Sequence, residues 1–182
     1  MLFAHDTELG LDAAVGLVNT DSSDGDTLTD VPALAAFLER YGWSGRFDRT
    51  PEELRSVRDL RPRLRGIWDA DEDGVTEIVN GLLREYHALP QLVRHDREPY
   101  HMHATAFDAP LVDRMAVEAA MAFLDVVRSG ELDRLHVCAL PTCGDVLIDL
   151  SKNRSKRFCD VNCGNKAAVT AYRARKAAGS HV

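Results

Sequence analysis

Apolar residues recur at helical spacing along most of the chain. Leu11, Ala14, Val15 and Val18 do so within residues 8–19 and predict a helix there. The acidic, Ser-containing stretch TDSSDGDTLTD at 20–30 reads as a loop. Asp30 then precedes VPALAAFLERYGW as an N-cap, with Pro32 in the first turn and Gly42 as the stop. Thr50-Pro51-Glu52-Glu53 repeats that grammar. It opens a long helix over 51–69 with Leu54, Val57, Leu60, Leu64 and Trp68 along one side. Pro62 falls inside, so a kink or break is expected there.

A further helix is expected over about 74–88, ended by Pro90. Residues 91–107 alternate weakly around HDREP and predict a hairpin. Asp108 is the expected cap of a helix over 110–128, whose stripe is Leu111, Met115, Ala119, Ala122, Phe123 and Val126. Ser129-Gly130 closes it. Trp43 and Trp68 are assigned to the core. Near residue 135 the pattern changes: VLIDLS, 146–151, alternates like the second strand of a hairpin, and a last helix follows Cys159. The chain is therefore read as mainly α. A helical N-terminal domain with a small β-hairpin, 1–133, precedes a small α+β module, 134–182, built as knuckle, hairpin and helix.

At 182 residues the length allows one ordinary domain plus such a module. No apolar run approaches the roughly 20 residues needed to cross a bilayer. The start, MLFAHDTELG, lacks the basic and long apolar stretches of a signal peptide. A soluble, cytoplasmic protein with no membrane partner is expected. No Gly-rich phosphate loop, nucleophile elbow or paired-carboxylate motif stands out, so enzyme activity is not expected.

Charge sharpens the division. The net charge is −7, but residues 1–135 carry −12 and residues 136–182 carry +5. A basic tail on an acidic body suits an anionic partner.

All four cysteines fall in that tail, as Cys138-x4-Cys143, then fifteen residues, then Cys159-x3-Cys163. Two short-spaced thiolate pairs supply the closed tetrahedral shell of a structural zinc ion. Four ordinary buried cysteines or a redox pair are the alternatives. At about 100° per residue, Cys163, Ala167, Thr170, Ala171 and Ala174 share one side of the last helix, which is expected to pack on the knuckle. Lys166, Val169, Tyr172, Arg173 and Lys176 spread over the other side. The loop SKNRSKR adds Lys152, Arg154, Lys156 and Arg157. Together these cations form a candidate phosphate-contacting face, with Asn165, Lys166 and Arg173 as candidate base readers. A merely solvated helix, or one docked on the acidic body, is the bland reading.

Residues 69–80, DADEDGVTEIVN, resemble a calcium loop, but Asn80 stands where the bidentate Glu belongs, so an acidic turn between helices is expected. His101 and His103 would share a strand face with no third ligand evident. Asn19, at the end of the first helix, is a candidate polar lining of an effector pocket.

LIDLSKNRSKRFCDVNCGNKAAVTAYRAR resembles the CGNR zinc finger. Its Cys-Gly-Asn-Arg tetrapeptide corresponds to Cys163-Gly164-Asn165-Lys166. The preceding motif falls on Asp149, Ser151, Asn153, Arg154, Ser155, Lys156, Arg157, Phe158 and Cys159. Lys166 replaces the motif's arginine and loses its planar fork, and Phe158 stands where tryptophan is usual. The N-terminal part is similar to the stress-related ABATE domain at LVNT 17–20, at Asp26-x-Leu28 and in the arginine-rich helix at 54–65. The resemblance implies a transcriptional regulator that binds DNA through the finger. One finger with eight cations binds weakly, so a homodimer or a partner is expected to raise the affinity, with the N-terminal domain dimerising or sensing a small-molecule effector. Its rivals are a protein-interaction module and a sensor whose finger only braces the fold.

Overall fold

The computed structural model describes residues 2–94 and 100–178. The elements in order are α1 (His5–Val18), a two-residue hairpin β1 (Asp21–Ser22) and β2 (Gly25–Asp26), α2 (Val31–Arg40), α3 (Pro51–Asp69) and α4 (Glu72–Glu85). There follow a hairpin β3 (Gln91–Val93) and β4 (His101–His103), α5 (Leu111–Arg128), a 3-10 turn Leu132–Arg134, a hairpin β5 (Leu135–Val137) and β6 (Val146–Ile148), and α6 (Val161–Ala178). All three strand pairs are antiparallel, so the fold is mainly α with small hairpins.

Local chemistry starts most of these helices. The Asp30 carboxylate accepts from the Ala33 amide at 2.8 Å, and the Thr50 hydroxyl accepts from Glu53 at 3.1 Å. Asp71 caps α4 by accepting from Gly74 at 3.0 Å. Residues 72–80 are therefore helix, which removes any calcium loop. The Asp108 cap is corrected: α5 starts from Pro110 with no side-chain cap. The break at Pro62 does not occur, and α3 runs unbroken from Pro51 to Asp69. Pro62 sits on the exposed side, and the Arg58 carbonyl that it leaves without an amide donor accepts from the Arg61 side chain at 3.3 Å. The HDREP turn lies outside the described residues.

The core gathers on α5, whose Ala116, Ala120, Phe123 and Val126 are fully buried against α1, α3 and α4. Close approach of α1 depends on Gly10, where a Cβ would stand 3.1 Å from Ala122 Cβ. Trp68 meets Phe123 edge-on at 5.3 Å, which places one of the two tryptophans against the core. Trp43 packs partly buried against the same cluster.

The hairpin β5–β6 joins this core to the cysteine module. Period two sends Val146 and Ile148 into the main core and Leu147 to the opposite face. Leu147 packs there with Cys138, Leu140 and Cys163, and with the partly buried Phe158 and Ala167. Both faces of β6 are thus covered, not one as the alternation of VLIDLS suggests.

Candidate metal centre and basic helix

The four cysteines converge from three local structures. Cys138 follows β5, Cys143 lies in the turn before β6, Cys159 precedes α6, and Cys163 is in its first turn. Their sulfurs all lie within 4.8 Å of one another, with Cys159 3.5 Å from Cys163 and 3.7 Å from Cys143. Sulfurs each about 2.3 Å from a tetrahedral centre lie about 3.8 Å apart, so this donor set fits one zinc ion.

The knuckle is held by its backbone. Cys138 donates to Asp145 at 2.8 Å, Ala139 to Arg157 at 2.8 Å and Cys143 to Leu140 at 2.9 Å. Burial opposes the Cys138 thiolate, but amides of Cys159 and Leu140 reach its sulfur and bring its pKa below the ordinary thiol value. Burial, with crowding by neighbouring sulfurs, pushes Cys163 up to about 12; it raises Cys143 and Cys159 as well. Four thiolates do not coexist here unaided; a dication reverses that balance.

Two aspartates shape the loops on either side. Asp149 is fully buried and accepts from the Ser151 amide at 2.8 Å and the Lys156 amide at 2.7 Å. Burial alone would raise its pKa; these hydrogen bonds outweigh it and hold the carboxyl below its ordinary value. The aspartate of the DLSKNRSKRFC run therefore builds the loop. Asp160 caps α6, accepting from the Cys163 amide at 2.7 Å, and this bond lowers its pKa. The sequence reading missed Asp160, although an Asp three residues before a helical Cys is a legible cap signal.

The module is anchored to the helical domain through main-chain atoms. The Asn19 amide donates to the Val146 carbonyl and accepts from the Val146 amide, each at 2.8 Å. Trp68 Nε1 donates to Leu147 O at 3.0 Å, and Arg65 to Gly144 O at 2.5 Å. Within the module, buried Arg134 donates to the carbonyls of Asp149 and Ser151 at 2.8 and 3.1 Å. The sequence marks Asn19 as a pocket residue; the structure commits its amide to β6.

Two family models match the chain. Residues 11–130 match the ABATE family, described as "putative stress-induced transcription regulator". The chain belongs to the ABATE family. Residues 134–176 match the CGNR zinc finger, which implies one zinc ion on Cys138, Cys143, Cys159 and Cys163. A search of curated proteins finds no match.

Within the CGNR finger the predicted cations separate. Arg154 turns back to the segment that follows α5, paired with Asp133 and, at 2.8 Å, with Glu131. Lys152, Lys156 and Arg157 are exposed, Lys156 with its amine 3.5 Å from the Ile148 carbonyl. Asn165, Lys166, Arg173 and Lys176 are exposed on α6, and Tyr172 is 60% exposed. The expected small-residue face is only partly realised. Cys163 and Ala167 pack on the knuckle and Gly164 lies over Phe158, but Thr170, Ala171 and Ala174 are exposed. Phe158 fills the knuckle core from the position where tryptophan is usual.

His103 Nδ1 lies 3.8 Å from Glu118, and the cysteines are the one metal-ligating cluster among the described residues. No helix among the described residues is long and apolar enough to cross a membrane.

Proposed function

We propose that this ABATE protein is a non-enzymatic transcriptional regulator that contacts DNA with α6 of its CGNR finger. One observation carries the reading: residues 168–177 of α6 are exposed on every side. Eighteen residues make a helix about 27 Å long, and only its first turns pack on the knuckle. It bears Lys166, Arg173, Arg175 and Lys176, with no acidic residue between Val161 and Ala178. An exposed helix of one sign, carrying an aromatic, suits phosphate contact. The same exposure weighs against docking of the helix on the chain's own acidic body. A structural zinc ion on the four thiolates supplies the cross-link between hairpin and helix.

The residues of this chain divide the remaining work. Asp160 fixes the start of α6, Asp149 shapes the SKNRSKR loop, and Asn19, Arg65 and Trp68 hold the hairpin on the helical domain. The acidic body repels DNA from the wrong side and orients approach. One finger with few cations binds weakly, so a homodimer raises the affinity.

The reading is tested by presenting the zinc-loaded protein with fragments of its own genome at low and moderate salt. Recovery of a few fragments at moderate salt, abolished by Cys159→Ser, is the expected result. Weak binding to all fragments, lost at moderate salt, would overturn it in favour of an interaction module.

A further inference from the structure

A second concave site lies on the helical domain, apart from the cysteines. A cleft of about 800 Å³ runs between α2 and the loop 43–49, with Leu111 and Arg114 of α5 in its lining. Small-molecule sites typically span roughly 300–1,000 Å³. Its walls are mostly apolar, and Trp43 and Phe47 are the aromatic part. Its charged lining is three arginines, Arg46, Arg49 and Arg114, against the single acid Glu39. That excess of positive charge sits in a stretch, residues 1–135, whose net charge is −12.

The three arginines are not equally neutralised. Arg46 holds Asp48 through two bonds of 2.8 and 2.7 Å. Arg49 lies over the Phe47 ring at 5.0 Å, and no salt bridge among the described residues engages its side chain. Arg114 is buried, and its guanidinium donates to three carbonyls: Ala109 at 3.2 Å, and those of Ser44 and Arg46. Glu118 and Glu53 act on it only at longer range. The other buried arginines differ, since Arg61 holds Asp26 and Arg134 holds Glu131. Carbonyl dipoles solvate the Arg114 charge without cancelling it.

The cleft is also preformed. The loop is cinched to α5 at Gly45, whose φ is +88° and where a Cβ would lie 2.6 Å from Phe107 O and 2.9 Å from Arg114 Nη1. A wall fixed in advance lowers the ordering cost of binding.

We infer that this cleft binds a small carboxylate with an aromatic body, the ring against Trp43 and Phe47 and the carboxylate on Arg49. A guanidinium fork matches a carboxylate through two parallel hydrogen bonds. The use of the site to sense an effector rests on the regulator reading; the binding itself does not.

Isothermal titration of the full zinc-loaded chain, without DNA, compares 2-naphthoate with neutral 2-naphthamide. The expected result is saturable binding of one naphthoate per chain, at least about tenfold tighter than the amide, as a charge-assisted hydrogen bond requires. Arg49→Gln, at an exposed side chain, is expected to remove that preference while the far-ultraviolet spectrum stays unchanged. Equal binding of acid and amide, full affinity in the Arg49→Gln variant, or no saturation up to about 10 mM naphthoate would each overturn the inference. Since DNA is absent, none of these outcomes depends on whether α6 binds it.

Discussion

Asn19 and Val146, 127 residues apart, are joined by two hydrogen bonds of 2.8 Å, the amide side chain of one bracketing the main chain of the other. Asn19 ends α1, and Val146 opens the strand that carries Leu147 to the cysteine cluster. The clamp therefore ties the finger to the helical domain at the strand both cores share, Val146 facing one and Leu147 the other. Asn19→Ala leaves a buried amide and carbonyl unpaired. It is expected to cost about 1–3 kcal/mol in denaturant unfolding. Hydrogen exchange at the Val146 amide should speed up more than exchange in α5. Unchanged exchange there would remove the clamp from the account.

Metal removal tests how far that sharing extends. Chelation leaves Cys143, Cys159 and Cys163 as thiols that burial keeps protonated, and the cross-link between hairpin and helix is lost. Residues 138–145 and 151–178 are expected to lose protection from hydrogen exchange, while α1, α3, α4 and α5 keep theirs. Strand β6 should be intermediate, since Val146 and Ile148 stay in the main core. Cys163→Ser should give the same map. Protection of α6 persisting under strong chelation would contradict a structural zinc site.

An ion pair between buried Arg61 and half-buried Asp26 holds the other end of the acidic loop. Arg61 Nη1 and Nη2 meet Asp26 at 2.8 and 3.0 Å, and Arg61 also bonds Thr20. The Arg61 bond outweighs burial and lowers the Asp26 pKa from its ordinary 3.8. A depressed carboxylate stabilises the fold above its unfolded pKa and loses that contribution as pH falls through the folded value. Asp26→Asn is therefore expected to destabilise by about 1–3 kcal/mol at neutral pH. The gap to the parent should hold constant from about pH 5 to 8 and close below about pH 4. A pH series of urea melts measures it.

The parts visible in the sequence are those written by near neighbours. Asp30 and Thr50 announce helices because a cap bonds an amide three residues on, and the paired cysteines announce a metal because their spacing is short. The Asn19 clamp joins positions 127 residues apart and leaves no local trace. Pro62 signals a break, and only the tertiary structure shows the Arg61 side chain taking the freed carbonyl. Residues such as Ala171 and Ala174 read as a packing face, yet both are exposed in the fold. A count of cations gives charge but not direction, and so it groups Arg154 with Arg173.

That last difference is measurable. Arg154 is held by Glu131 and Asp133 in the segment that follows α5, whereas Arg173 is exposed on α6. Each phosphate contact removed lowers the slope of log affinity against log salt by about 1. Arg173→Ala is expected to reduce that slope by about 1, and Lys166→Ala to do the same. Arg154→Ala should leave the slope unchanged. It should instead loosen the finger, read as faster hydrogen exchange in the 151–157 loop. A reduced slope in the Arg154→Ala variant, with Arg173→Ala silent, would move the DNA-contacting surface from α6 to the loop.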